Sequence, residues 1–240
     1  IETFREILAM AKLKYPRTQN LPWSDSASRD DIFWESCIHI STEEVIVTEK
    51  LDGENTNIYG CSPEHPEGYF HARSLDTKHH PSRNWIKQLV AEKAWQIPPT
   101  YRICGENVYA HHSIFYKDLP SYFFAFCIYE NGMVKSWDDT VAICEMLGLQ
   151  TVPVLYRGIF DEEKIRKCWT GKGTFTTLSG PDGQPCDAEG YVIRLAREYH
   201  WTEHSLSVAK YVRPNHVQPN TDHWLSKPVV PNRLVGDKLF

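Results

Sequence analysis

The chain has 240 residues, 41% of them hydrophobic and 12% aromatic, enough to bury a full core as one large domain or two small ones, and one compact domain is the simpler reading. A formal charge of -5 excludes a protein that coats nucleic acid through bulk electrostatics, so any contact with phosphate must be local. Seven cysteines, an odd number without a C-x-x-C pair, argue against a disulfide framework or a thiolate zinc site and for a reducing, intracellular compartment, cytoplasmic or nuclear.

In chain order, Phe4, Ile7, Leu8 and Ala11 recur at helical spacing and predict an amino-terminal helix ending before Pro16. The chain opens on Ile1 rather than methionine, as a processed or trimmed end would, and residues 1–5 lack the charged-then-apolar pattern of a secretion signal. Residues 17–31 read as a polar loop. Residues 45–49 and 56–59 read as two strands flanking Lys50, with Gly53 permitting a tight turn between them. Trp85, Leu89 and Val90 mark a helix after Pro81. Residues 101–108 and 122–129, rich in aromatic and β-branched side chains, read as core strands. The second is the most hydrophobic stretch of the chain and is too short to cross a bilayer, so no membrane is expected. Asn131-Gly132 predicts a hairpin that returns through residues 133–137.

Val141, Cys144 and Leu147 give an amphipathic helix from near Asp138 to Gly148, and a second helix is expected over residues 161–169. Residues 171–187 form a loop rich in glycine and proline, and strands at 189–195 and 207–213 complete the core. No repeat appears, and the pattern is α+β with largely antiparallel sheets flanked by helices. Residues 1–213 are read as one domain. Residues 214–240 are read as a tail that packs on it through Trp224 and Leu225 or covers a cleft, too short for a separate oligonucleotide-binding barrel.

The chemistry concentrates in Lys50-Leu51-Asp52-Gly53-Glu54-Asn55, which places an amine, a carboxylate, a glycine and an amide directly after the apolar run Val45-Ile46-Val47. A lysine at a strand end can attack a nucleotide phosphate once neutral, which requires its pKa to fall by about 3, or about 4 kcal/mol. Lys210, Arg73 and a divalent metal are the cations available to lower it, aided by partial burial. Glu189 opens an apolar strand, where a carboxylate suits a hard oxygen ligand for Mg2+ or Mn2+. Two basic groups, Arg73, Lys78, His79, His80, Arg83 and Lys87, and then Arg194, Arg197, Lys210 and Arg213, bracket these residues; each reads equally as a solvated face. Gly171-Lys172-Gly173-Thr174 lacks what a P-loop requires. His79-His80 and His111-His112 lack a third ligand and read as surface residues.

Lys50 to Asn55 resembles the K-x-D-G-x-N signature of the covalent nucleotidyltransferases, the superfamily of RNA ligases, DNA ligases and mRNA capping enzymes. Arg73-Ser74, Gly105-Glu106, Phe124-Ala125-Phe126, Glu189-Gly190-Tyr191-Val192 and Val208-Ala209-Lys210 follow in the order and type of its later motifs. Residues 101–129 most resemble the RNA ligase branch, and the likeness runs from about Glu49 to about Arg213. The resemblance implies an ATP-grasp-like ligase catalytic fold in which Lys50 takes up AMP from ATP, Glu189 holds Mg2+ or Mn2+, Glu106 accepts from the ribose and Phe126 stacks on the base. It also implies that Glu49 reads the adenine edge, Arg73 meets the ribose or the acceptor end, Asn55 serves the sealing steps and Lys210 meets phosphate. The chain departs from the pattern at Cys127, where many relatives carry aspartate, and in the last motif, where Lys210 and Arg213 replace two lysines one residue apart and both stay open for the phosphate contacts.

The implied activity is an ATP-dependent RNA ligase that joins a 5′-phosphate RNA end to a 3′-hydroxyl, with RNA repair as its use. Substrate binding would fall to the catalytic domain or to an accessory protein. The alternatives are a DNA ligase, a GTP-dependent capping nucleotidyltransferase, or a non-catalytic nucleotide- or RNA-binding module that has kept the pocket.

Overall fold

A computed structural model describes residues 12–25, 31–75, 78–176, 188–214, 216 and 228–237. Phe4 to Ala11, which mark the predicted amino-terminal helix, the part of the glycine- and proline-rich loop at 177–187, and Trp224 and Leu225 lie outside the described residues; residues 12–15, the expected end of that helix, are not helical. Two sheets carry the architecture. One has five strands: β1 (Gln19–Asn20), β2 (Glu44–Lys50), β9 (Val154–Ile159), β10 (Gly190–Leu195) and β12 (Val208–Val212), in the order β1-β12-β10-β2-β9. The other comprises β3 (Glu54–Tyr59), β4 (Tyr69–Ala72), β5 (Tyr101–Asn107), β6 (Phe123–Glu130), β7 (Met133–Val134) and β11 (Tyr199–His200), in the order β11-β7-β6-β5-β3-β4, with β8 (Gln150–Thr151) pairing β6. All pairings are antiparallel except β1 with β12 and β6 with β8. Mixed α+β with antiparallel sheets is therefore the fold class of the chain.

One apolar core lies between the sheets, where Val45, Val47, Tyr191 and Ile193 meet Cys104, Cys127 and Tyr129. A second covers the far face of the larger sheet. There Ile86 and Val90 of α1 (Asn84–Lys93) and Cys144 and Leu147 of α2 (Trp137–Leu147) pack on Ile58, Ile103, Phe123 and Ile128. The helix α2 starts where the Ser136 side chain accepts from Asp139 N and ends at Gly148, close to the sequence expectation. The helix α3 (Glu162–Cys168) docks Ile165 into the first core. Asn131 and Gly132 have φ of 50° and 84°, the conformation a two-residue hairpin needs, and they join β6 to β7. That return strand stops at Val134, because Trp137 already begins α2.

Three expectations change. The strands on either side of Lys50 do not form a hairpin: β2 and β3 belong to different sheets, so the segment between them crosses from one to the other. Gly53 has no positive φ; a Cβ there would lie 2.5 Å from the Asn107 carbonyl oxygen, so glycine permits a close approach of two backbones rather than a turn. The polar loop at 17–31 contains β1, which pairs Gln19 and Asn20 with Ala209 and Lys210. Of the tail, residues 228–237 lie on the body through bridges Ala110–Pro231 and Leu119–Leu234. Buried Asn232 fixes them: its Oδ1 accepts from Tyr116 N at 2.9 Å and its Nδ2 donates to the Val108 carbonyl at 2.7 Å.

Candidate active site

Strand alternation puts the functional side chains on one wall. Thr48 and Lys50 on β2, Val192 and Arg194 on β10 and Lys210 on β12 occupy alternate positions and all line a cleft of about 740 Å3 between the sheets. That volume lies within the usual range for ligand sites, about 300–1,000 Å3. The opposite wall comes from β3 and β5, where Asn55 and Glu106 are register partners, and from Phe126 of β6. Arg73, just past β4, stands exposed at the rim. Residues 14–18 run along the cleft, and the edge of the Tyr15 ring meets Phe126 with centroids 5.4 Å apart. Lys50, Glu49, Asn55, Arg73, Glu106, Phe126 and Lys210, each singled out from the sequence, thus share one cavity.

Glu189 joins them through register. Gly190 is the cross-strand partner of Lys50, so the preceding residue reaches the amine, and Lys50 Nζ donates to Glu189 Oε1 at 2.5 Å. This pairing reverses the expected electrostatics. Burial works against the Lys50 charge, but Glu189, Glu106 and Asp52 outweigh it and hold the ammonium above its ordinary pKa. The downward shift falls instead on Lys210, through burial and then the nearby charges of Lys50 and Arg73. Glu189 touches the amine directly, and the carboxylates together outweigh burial. Glu106 is pushed up to about 8, by burial first and then by repulsion from Glu189, Asp52 and Glu54. Burial thus favours its protonated form, while the Lys50 charge works the other way.

Glu49 is almost wholly buried. Its Oε2 accepts from Thr174 N at 2.9 Å and Thr174 Oγ1 at 2.6 Å, while its Oε1 has no partner among the described residues. The glycine-flanked segment that fails as a P-loop therefore serves as the brace that aims this carboxylate. Arg194 is also buried, donating to the Phe126 carbonyl at 2.5 Å with its guanidinium over the Phe126 ring. The two basic groups separate accordingly. Arg194 and Lys210 line the cleft, Arg197 pairs with Glu43 at the surface, and Arg83 is clamped on Glu54 in a half-buried pair. Arg213 donates to the Ala188 carbonyl at 3.1 Å, so of the two residues left open for phosphate it is Lys210 that lines the cavity.

Two residues at the centre carried no assigned role. Asp52 is buried, and its Oδ2 accepts from Ser113 N, Ser113 Oγ and Ile114 N at 2.8, 2.6 and 2.9 Å, tying the loop after β5 to the Lys50 segment. Burial opposes its charge, but the neighbouring His216 imidazole and the hydrogen bonds from Ser113 hold the carboxyl well below the usual range. His216 Nε2 lies 3.7 Å from Asp52 Oδ1 and 3.6 Å from Glu189 Oε1. Asp52, Glu189 and His216 together offer three buried ligand atoms within 4.8 Å of one another. Two carboxylate oxygens and an imidazole nitrogen suit a divalent ion, Mn2+ more than Mg2+ because of the nitrogen. The carboxylate two residues beyond Lys50 was a visible signal for Asp52; nothing local marked His216. His112 is not a surface residue either, since its side chain is 9% exposed and its Nδ1 lies 4.0 Å from Asp52 Oδ1.

A family model described as RNA ligase matches residues 43–212. No curated protein sequence matches the chain. Among solved structures, an apo variant of the Naegleria gruberi RNA ligase is 15% identical over 74% of this chain and 51% of its own, with a TM-score of 0.46. An archaeal ATP-dependent RNA ligase is 16% identical over 83% of this chain and 48% of its own, with a TM-score of 0.47. A putative ATP-dependent DNA ligase from Aquifex aeolicus is 20% identical over 83% and 49%, with a TM-score of 0.45. The chain spans about half the length of these structures. With the family model running through both sheets, from the residue before β2 to the last residue of β12, the chain belongs to the RNA ligase family.

Proposed function

We propose that the chain is an ATP-dependent RNA ligase acting through a covalent lysyl-AMP at Lys50. The observation that carries the reading is the position of Lys50 Nζ against Glu189 in a cleft that also holds Glu49 Oε1, a buried acceptor without a partner. An unmatched acceptor suits the amino group of adenine and opposes the carbonyl of guanine, which favours ATP over GTP. Phe126 offers an apolar ring to the base, Glu106 meets the ribose, and Lys210 and Arg73 neutralise the phosphates.

Asp52, Glu189 and His216 would hold the metal, which when bound supplies positive charge at Glu189 and so favours a neutral Lys50. The neutral amine attacks the α-phosphorus of ATP; an N–P bond forms as the bond to the β-phosphate oxygen breaks, and pyrophosphate leaves. The adenylate then passes to a 5′-phosphate RNA end, breaking the N–P bond, and a 3′-hydroxyl displaces AMP to form the phosphodiester. Asn55, beside Glu106 across β3 and β5, serves these later steps.

Intact-mass measurement after incubation with ATP should show one added AMP on the wild-type chain and none on Lys50→Ala, which should also fail to seal 5′-phosphorylated RNA. Sealing that persists in Lys50→Ala would overturn the assignment. Labelling by GTP instead, or sealing of DNA alone, would move the chain to the capping or DNA ligase reading.

A further inference from the structure

The strands β5 and β6 lose register in one place. Cys104 pairs with Cys127 and Gly105 pairs with Ala125, so Phe126 has no partner across the ladder and forms a β-bulge. The extra residue lets Phe126 line the nucleotide cleft while Cys127 stays in the core between the sheets. Cys104 and Cys127 are thus the last matched pair before the bulge that carries the ring.

Both thiols are free and buried, and they hydrogen-bond each other. Register partners on antiparallel strands have Cα atoms about 4.5 or 5.5 Å apart, and a disulfide spans about 4.4–6.8 Å, so the backbone already suits a bond between the sulfurs. The surroundings tolerate one. Cys104 Sγ donates to Asn57 Oδ1 at 2.9 Å, but Arg102 Nε and Nη2 donate to the same oxygen at 3.0 and 2.9 Å, so the amide keeps two bonds once the thiol proton is gone. Burial opposes a thiolate at Cys104, but the hydrogen bond with Cys127 and the charge of Arg102 outweigh it and lower the pKa, whereas burial pushes Cys127 up. Cys104 is therefore the sulfur that attacks first.

The approach to the pair is from the cleft. Tyr15 and Phe126 both line it and meet edge to face, and the Tyr15 phenol faces Cys127, which is 5% exposed. A nucleotide seated on Phe126 would cover this route.

We propose that Cys104 and Cys127 are a redox-sensitive pair, which a small peroxide closes to a disulfide, and that closure displaces Phe126 and weakens nucleotide binding. The Cys104 thiolate attacks the O–O bond of hydrogen peroxide, giving a sulfenic acid and, after protonation, one water. The Cys127 sulfur then displaces the sulfenic oxygen as a second water, and the S–S bond forms. Two thiols lose two electrons and two protons, and one peroxide becomes two waters. Drawing the two Cβ atoms to about 3.8 Å shifts the ladder pair beside the bulge, and Phe126 moves with it. The effect on nucleotide rests on the reading of the cleft as an ATP site; the disulfide itself does not.

The native wild-type chain is treated with hydrogen peroxide, alkylated under denaturing conditions and digested. A peptide joining residues 104 and 127, two hydrogens lighter than the reduced pair, should appear, and α,β-methylene-ATP, which cannot transfer its adenylate, should slow its formation. Calorimetric titration with that analogue should show roughly ten-fold weaker binding after peroxide, the scale of one lost base-stacking contact, and full recovery after a thiol reductant. Cys127→Ala should lose both the joined peptide and the response to peroxide. Oxidation confined to the less buried Cys61 and Cys168, or a joined peptide with unchanged affinity, would overturn the proposal. A reduced chain that binds no analogue would instead sink the ATP reading, and the peptide map would still decide the disulfide.

Discussion

Lys50 shows how much a single side chain depends on its neighbours. The role proposed for it requires a neutral amine, yet in the free chain Glu189 holds it as an ammonium. On that proposal the charge pattern keeps Lys50 unreactive until something else takes up Glu189. Gly53 is a simpler case at the same scale. With the Asn107 oxygen 2.5 Å from where a Cβ would stand, and Val108 Cγ1 at 2.9 Å, Gly53→Ala must push two backbones apart. The expected cost is about 1–3 kcal/mol. Thermal melting should show a drop of several degrees, and adenylylation should fall because the same segment carries Lys50 and Asp52.

Among the elements, the short run 228–237 does more than its length implies. Asn232 at its centre is 1% exposed and bonds to Tyr116, Val108 and, through its own carbonyl, Tyr122. Those residues flank the loop whose Ser113 and Ile114 amides hold Asp52. Asn232→Ala leaves the Tyr116 N–H and the Val108 carbonyl unpaired, at about 1–3 kcal/mol for each buried group. Limited proteolysis should cut the variant faster near residues 228–237, and its adenylylation should weaken with it. Unchanged proteolysis would show that these bonds are dispensable.

Across the whole molecule, the two sheets and residues 12–18 meet at His204 of α4 (His204–Ser207). The imidazole is buried against the edge of the Tyr15 ring, its Nε2 lies 3.4 Å from Thr18 Oγ1, and Arg194 and Arg102 face it from both sheets. Burial, then those two arginines, push its pKa down to about 4 from an ordinary 6.5. The unfolded chain therefore takes up the proton first. This contribution is intact above about pH 6.5 and drains as the pH falls toward about 4. Asp52, held below its ordinary 3.8, loses its own contribution only below that value, outside this window. Glu106, pushed up to about 8, shifts stability the opposite way over this range in both chains, so the readout is the difference: the urea midpoint of wild type relative to His204→Gln should fall between pH 6.5 and 4, and a difference independent of pH would refute the role of His204.

Local chemistry made most of the parts legible. Aromatic and β-branched composition gave the core strands, Asn131-Gly132 the hairpin, Gly148 the end of α2, and the Lys50 hexapeptide the candidate reactive group, because each depends on residues within a few positions of one another. The two-residue strand β1 and the crossing of Lys50–Glu54 between sheets were invisible, since both are set by partners distant in sequence. Only the tertiary structure brought Glu189 to Lys50 across 139 positions, set His216 between two carboxylates, and paired Cys104 with Cys127 beside the bulge at Phe126. It also decided the sign of the charge balance at the amine. Residue identity supplies the charges, but Coulomb energy and desolvation depend on distance and burial, which exist only once the strands have paired.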